Sequence, residues 1–241
     1  MRINKDCWLL TKPIAHRGLW GGEIIENSLN AYQNAIDNGF PIEIDVFASK
    51  DGELVCFHDS TLKRMTGDDG HVYDRTLAQL QSLRLNGSNC TIPTFNQVLS
   101  LCENKVPLLI EIKDQPDKNI VEKVVDRLKK YTGEFAIQSF NPLYMLKVKK
   151  LAPDFIRGIL GTAEKGVHKS PLVCALIKNM TLNPIVKPDF ISYRYSDLPL
   201  KKSKTKNIPV ICWTVTDKET ATKIKPFAKN YIFEHFTPNN I

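Results

Sequence analysis

Eight short apolar runs recur along this chain, and helix-like stretches separate most of them. The runs are PIAHR (13–17), IEIDVF (42–47), PLLIEIK (107–113), FAIQSF (135–140), IRGILG (156–161), FISYRY (190–195), PVICWTV (209–215) and YIFEH (231–235). Runs of this length, rich in β-branched and aromatic residues, read as strands. Between the first two, ENSLNAYQNAIDNG (26–39) sets Leu29, Tyr32, Ala35 and Ile36 at helical spacing and stops at Gly39. NIVEKVVDRLKKYTG (119–133) places Ile120, Val121, Val124, Val125 and Leu128 on one helical face. Strand and helix alternating in this way predict an α/β chain with parallel strands, a (β/α)8 TIM barrel. An open doubly wound sheet shows the same alternation, and strand count alone does not separate the two. The length of 241 residues suits one barrel, which typically takes ~250.

One connection breaks the rhythm. Residues 48–92 separate the second strand from the helix candidate TFNQVLSLCENK (94–105). They begin with a hairpin signal, Asp51-Gly52 between two alternating runs, and continue through the polar TGDDGHVYDRT (66–76). The segment is expected to be an insertion within a single catalytic barrel spanning 1–241. Its polar composition suggests too few apolar residues for a core of its own.

The second strand carries the chemistry. Side chains alternate along a strand, so Ile42, Ile44 and Val46 share one face while Glu43 and Asp45 share the other. Two carboxylates pointing together from an apolar strand need a compensating charge, because burying them alone is costly. Glu111 has a similar place in the third strand candidate. An internal salt bridge is one way to offset these acids, and a divalent cation is the other. All-oxygen ligation suits Mg²⁺, Ca²⁺ or Mn²⁺ rather than zinc. A hairpin centred on Asp51-Gly52 would pair Ser49 with Leu54, Phe47 with Cys56 and Asp45 with His58, so His58 is expected beside Asp45.

His16 and Arg17 end the first strand candidate, and Lys113 follows Glu111 by two residues and shares its face. Two imidazoles can serve as general acid and base near neutral pH. The Arg17 guanidinium is a fork suited to phosphate. A cation, an arginine, a lysine and paired histidines fit an anionic phosphodiester better than a sugar or a peptide. His71, His168 and His235 lack such neighbours in sequence and are expected to be exposed or supporting.

These residues resemble the glycerophosphodiester phosphodiesterase family. The resemblance runs through IAHRG (14–18), IEN (25–27), EID (43–45), FHDSTLKRMTG (57–67), IPTFNQVL (92–99) and LLIEIK (108–113), and resumes weakly at QSF (138–140) and WTV (213–215). It implies a (β/α)8 barrel with an insertion after the second strand. It also implies Glu43, Asp45 and Glu111 as metal ligands, and His16 and His58 as the acid–base pair. Arg17 and Lys113 match phosphate contacts, and Glu26 and Asn27 match the motif close to the metal. Phe140 and Trp213 match substrate-lining positions, although Trp213 as simple core filling is an equal alternative. Where the family motif has threonine, Ser28 stands here and keeps a hydroxyl. The last strand leads into YIFEHFTPNNI (231–241), without the aspartate the family often has there. Tyr193, Arg194 and Tyr195 add a cation and two rings.

The implied reaction is metal-dependent hydrolysis of a small glycerophosphodiester to glycerol 3-phosphate and an alcohol. Two alternatives stand beside it: a lysophospholipid phosphodiesterase at a membrane surface, and a non-catalytic phosphodiester-binding barrel. The net charge of +7 sits largely in lysine runs such as 123–130, 147–150 and 201–206. Without interleaved aromatics these runs read as solvated faces rather than a nucleic-acid surface. No apolar stretch approaches the ~20 residues of a membrane span, and no stable membrane anchor is evident. The N-terminus lacks a signal-peptide pattern, and the six cysteines form no C-x-x-C pair, so a cytoplasmic protein with reduced thiols is expected. Homo-oligomerisation stays open.

Overall fold

The computed structural model describes residues 3–164, 170–205 and 207–238. They fall into two compact units, Ala15–Phe135 and Met1–Ile14 with Ala136–Ile241.

Ala15–Phe135 is built around β1 (Ile14–His16), β2 (Ile42–Ala48), β3 (Leu54–Cys56) and β4 (Leu108–Ile112). β2 runs parallel to β1 and to β4, and β3 returns antiparallel to β2. Every residue of β2 is buried, as expected for a strand covered on both faces. A helix at Leu29–Asp37 opens on Ser28, whose hydroxyl accepts from the Ala31 amide and donates to the Ile25 carbonyl. The serine thus does the capping work that a threonine would do. The helices Phe95–Cys102 and Ile120–Leu128 flank β4 in sequence. The second buries Ile120, Val121, Val124, Val125 and Leu128, the face that the spacing predicts.

The β2–β3 hairpin departs from the expected register. Phe47 pairs with Val55 and Val46 with Cys56, one residue away from the predicted pairing. The cause is the turn. Ser49 and Glu53 close it through Ser49 N–H to Glu53 O at 2.8 Å, leaving three residues between them instead of two. Gly52 supplies the left-handed conformation at φ 85° that such a loop needs. The Ser49 hydroxyl locks the turn by donating to Asp51 and accepting from the Glu53 amide. Asp45 therefore faces Phe57, whose amide donates to the Asp45 carbonyl, and His58 is not its cross-strand partner.

The segment after β3 also buries more apolar surface than its polar stretches suggest. Val55, Phe57, Leu62, Met65, Val72, Leu80, Leu85 and Ile92 cluster with Phe47 of β2. These apolar residues are spread through 54–92 rather than gathered in one run, and they pack together with a residue of the barrel strand β2.

The other unit contains β5 (Phe135–Ser139), β6 (Arg157–Gly161), β7 (Phe190–Arg194), β8 (Val210–Val215) and β9 (Asn230–Phe233). Each pairs in parallel with the next from β5 to β9. Helices at Pro142–Leu151, Pro171–Asn179 and Lys218–Ile224 lie in the connections. Gly158 of β6 makes room for the Phe190 ring of β7, which a Cβ at that position would meet at 2.2 Å. The eight predicted strands are thus present within a residue or two of their expected bounds, with β3 added by the hairpin.

Gly18 follows His16 and Arg17 and is pinned by two constraints. Its φ is 85°, and a Cβ there would sit 2.7–2.8 Å from backbone and side-chain atoms of Ala31. A Gly18→Ala variant is expected to lose about 2–4 kcal/mol of stability in denaturant unfolding, from left-handed strain plus overpacking. A loss below about 0.5 kcal/mol would contradict this packing.

Candidate active site

The acids gather as the alternation predicts. Parallel pairing sets Asp45 of β2 directly opposite Glu111 of β4, and Glu43 opposite His16 of β1. One carboxylate oxygen from each of Glu43, Asp45 and Glu111 lies within 4.8 Å of the others, and all three residues are buried.

Cations border the triad. Lys113 Nζ donates to Glu111 at 2.8 Å and lies 3.2 Å from Asp45 Oδ1. The Arg17 backbone N–H reaches Glu43 Oε2 at 3.3 Å, and its Nε lies 3.8 Å from Asp45 Oδ2. That Nε is buried and makes no hydrogen bond among the described residues. Asn27 is held by two contacts, donating from Nδ2 to Asp45 at 3.2 Å and accepting the Tyr32 hydroxyl at 2.7 Å. Glu26 takes Arg17 Nη1 at 2.8 Å. The three carboxylates thus meet Lys113 and an Arg17 shared with Glu26, and their negative charge is not fully offset.

Burial and these neighbours together set the direction in which each acid's pKa moves. Burial raises the Glu43 carboxyl well above its ordinary range, and repulsion from Asp45 and Glu111 adds to it. Burial also raises Glu111, against the pull of Lys113. Asp45 goes the other way. Burial opposes its charge, but Lys113, His58 and Arg17 together outweigh burial and lower it. The result is one firmly ionised carboxylate flanked by two that resist ionising side by side. A hard divalent cation fits this donor set, since carboxylate oxygens are its preferred ligands and its charge removes the repulsion.

His16 and His58 border the same acids. Their ring centroids are 6.4 Å apart and nearly perpendicular. His16 Nε2 lies 4.0 Å from Glu43 Oε2. His58 arrives through the chain beyond β3 rather than through the ladder. Its Nδ1 meets Asp59 Oδ1 at 2.6 Å. Asp59 is held well below the usual carboxylate range; burial opposes this, and hydrogen bonds from His58 and Arg64 outweigh it. An ionised carboxylate only accepts, so the His58 proton sits on Nδ1 and Nε2 keeps its lone pair. Burial, with Lys113, lowers the His58 pKa, which favours the neutral ring at neutral pH.

Phe140 and Trp213 stand together in the other unit, edge to face with centroids 5.7 Å apart. The Trp213 indole donates to the Ser192 carbonyl at 3.2 Å. Arg194 pairs with Glu164 at 2.6 Å. Of the remaining histidines, His71 stacks on Tyr73, His235 is exposed beside Glu234, and His168 lies outside the described residues. The sequence reading passed over three residues near the acids. Asp59 and Arg64 were both visible in FHDSTLKR, where each follows His58 closely. Trp20 donates its indole N–H to the His16 carbonyl at 2.8 Å, and only its position four residues on hinted at that contact.

Comparison with known proteins gives the same direction. The model of the glycerophosphoryl diester phosphodiesterase family matches residues 16–237. A glycerophosphodiester phosphodiesterase of Caldanaerobacter subterraneus subsp. tengcongensis is 37% identical over 166 residues, 62% of this chain and 66% of that protein. Human lysophospholipase D GDPD1 is 30% identical over 138 residues, 52% of this chain and 43% of that protein. A solved phosphodiesterase from Oleispira antarctica, in complex with the product sn-glycerol-3-phosphate, has a TM-score of 0.79 at 25% identity, covering 94% of this chain and 93% of its own. A Silicibacter pomeroyi structure shares the fold at 19% identity, with a TM-score of 0.78 over 92% of this chain and 89% of its own. The fold is the expected (β/α)8 barrel, eight parallel strands with one extra strand. With the family model matched from His16 almost to the C-terminus, the chain belongs to the glycerophosphoryl diester phosphodiesterase family, a family of phosphoric diester hydrolases.

Proposed function

We propose that the chain hydrolyses glycerophosphodiesters to glycerol 3-phosphate and an alcohol, with a divalent cation held by Glu43, Asp45 and Glu111 and with His16 and His58 moving the protons. The buried acid triad, whose oxygens lie within 4.8 Å of one another, carries the reading. Bound there, Mg²⁺, Ca²⁺ or Mn²⁺ would lend charge to a phosphoryl oxygen and stabilise the transition state. The chain supplies the rest. Arg17 Nε, buried without a hydrogen bond, has a donor to give a non-bridging phosphate oxygen, and Lys113 adds positive charge.

One imidazole takes the proton of the attacking hydroxyl, and the other gives a proton to the departing alkoxide as the P–O bond breaks. The attacking group is water or the substrate's own neighbouring hydroxyl, which would form a cyclic phosphate for water to open. Both routes use the same two rings. The Asp59 contact supports a fixed tautomer for His58 with Nε2 free to act. That Phe140 and Trp213 pack the alcohol group rests on the family resemblance.

The test is a product assay on a soluble glycerophosphodiester and on a lysophospholipid, in parallel. The reading expects glycerol 3-phosphate from the soluble diester as the faster reaction. A strong preference for the lysolipid would shift the assignment to a lysophospholipase D. Binding of the diester with no turnover on either would leave a phosphodiester-binding barrel.

A further inference from the structure

Arg64 lies outside the acid triad, on a single helical turn at Lys63–Thr66, with its side chain 46% exposed. All three of its guanidinium nitrogens are engaged. Nε and Nη2 fork onto Asp59 at 2.5 and 3.2 Å. Nη2 and Nη1 fork onto Glu26 at 2.6 and 3.1 Å. Among the described residues each of those carboxylates has one further side-chain partner, and each partner borders the candidate site. Asp59 takes His58 Nδ1 at 2.6 Å, and Glu26 takes Arg17 Nη1 at 2.8 Å.

We propose that Arg64 is a positioning residue that sets His58 through Asp59 and Arg17 through Glu26. The proposal rests on the catalytic reading of His58 and Arg17 given above. One planar group thereby fixes the imidazole that moves a proton and the guanidinium that meets the phosphate. The geometry requires a fork on two sides, which guanidinium has and ammonium lacks. A surface ion pair that serves only stability is worth ~0–1 kcal/mol, and it would leave turnover alone. A positioning role predicts the reverse, since small misplacements of reacting groups cost rate.

The experiment compares Arg64→Ala with Asp59→Asn and Glu26→Gln. Steady-state kinetics are combined with ¹⁵N NMR of the His58 ring in chelator-treated protein. Arg64→Ala is expected to lower kcat/KM by about 10- to 100-fold, a range typical of groups that orient a site residue. Its two parts should separate, with Asp59→Asn acting mainly on kcat and Glu26→Gln mainly on KM. The double variant Arg64→Ala/Asp59→Asn should have a kcat no lower than the weaker single variant, because both break one chain of contacts. The NMR spectrum should change from a single Nδ1–H tautomer to a mixture. If Arg64→Ala does not fold, Arg64→Lys keeps the charge without the fork and is read for the same quantities. Wild-type kinetics and an unchanged His58 tautomer in the folded variant overturn the proposal. If the wild-type protein turns over no phosphodiester, the catalytic reading fails by itself, and the NMR comparison still decides whether Arg64 sets His58.

Discussion

Alanine at either His16 or His58 should cut turnover by at least ~100-fold, the low end for losing a general acid or base. Both rings sit where β1 and the chain after β3 meet the acids, with centroids 6.4 Å apart. Phosphodiester cleavage needs a proton removed on one side of phosphorus and delivered on the other, so losing either ring stops one half of the exchange. Substrate affinity should change far less, because Arg17, Lys113 and the acid triad remain. The two losses should not multiply in the double variant, since the residues act as a unit. Thermal unfolding should stay near that of the wild type, as His58 is only partly buried and is held mainly by Asp59. Near-normal kcat in both single variants would remove the proton-transfer mechanism while leaving the fold and the cation reading intact.

Glu43→Gln has an expected effect that reverses sign with the cation. In chelator the crowded triad has only Lys113 and an Arg17 shared with Glu26 beside it, so its acids resist ionising together. Burial pushes Glu43 well above its ordinary pKa, and repulsion from Asp45 and Glu111 adds to it. An uncharged glutamine of the same shape relieves the repulsion, so the variant should unfold at the same temperature as the wild type or higher. With millimolar Mg²⁺, Ca²⁺ or Mn²⁺ the order should invert. Binding to the folded state alone stabilises the wild type by RT ln(1 + [L]/Kd), about 2.7 kcal/mol at a hundredfold excess over Kd. The variant lacks one of three ligands and should gain little. Thermal scans of both proteins, with and without cation, give the four values. Equal cation-induced shifts in both would mean that Glu43 does not face the ion.

Much of this site could be read before the structure, for a physical reason. Strand alternation is rigid, so IEIDVF alone placed Glu43 and Asp45 on one face, and parallel pairing then put Glu111 opposite Asp45. Helix 120–128 was equally legible from its apolar spacing. The hairpin was not, because a Gly at 52 serves a two-residue turn and a three-residue turn alike. The choice came from side-chain contacts of Ser49 with Asp51 and Glu53, which composition does not reveal. His58 reaches the acids even though the predicted ladder pairing was wrong, because the chain beyond β3 leaves the sheet there. Arg64 was in plain view within FHDSTLKR, but its link to Glu26 spans 38 residues, and no local pattern announces a contact of that range. The cluster under residues 54–92 was hidden for a similar reason. Its apolar residues are spaced irregularly and become a core only when short turns bring them together.

If the three buried carboxylates hold a divalent ion, phosphodiester cleavage should depend on it. The most direct measurement is glycerol 3-phosphate release from a soluble glycerophosphodiester, assayed as purified, after chelation, and after Mg²⁺, Ca²⁺ or Mn²⁺ is returned. Release should fall to background in chelator and recover when one of these ions is added. Undiminished release in the fully chelated protein would mean that Glu43, Asp45 and Glu111 hold no ion the reaction needs.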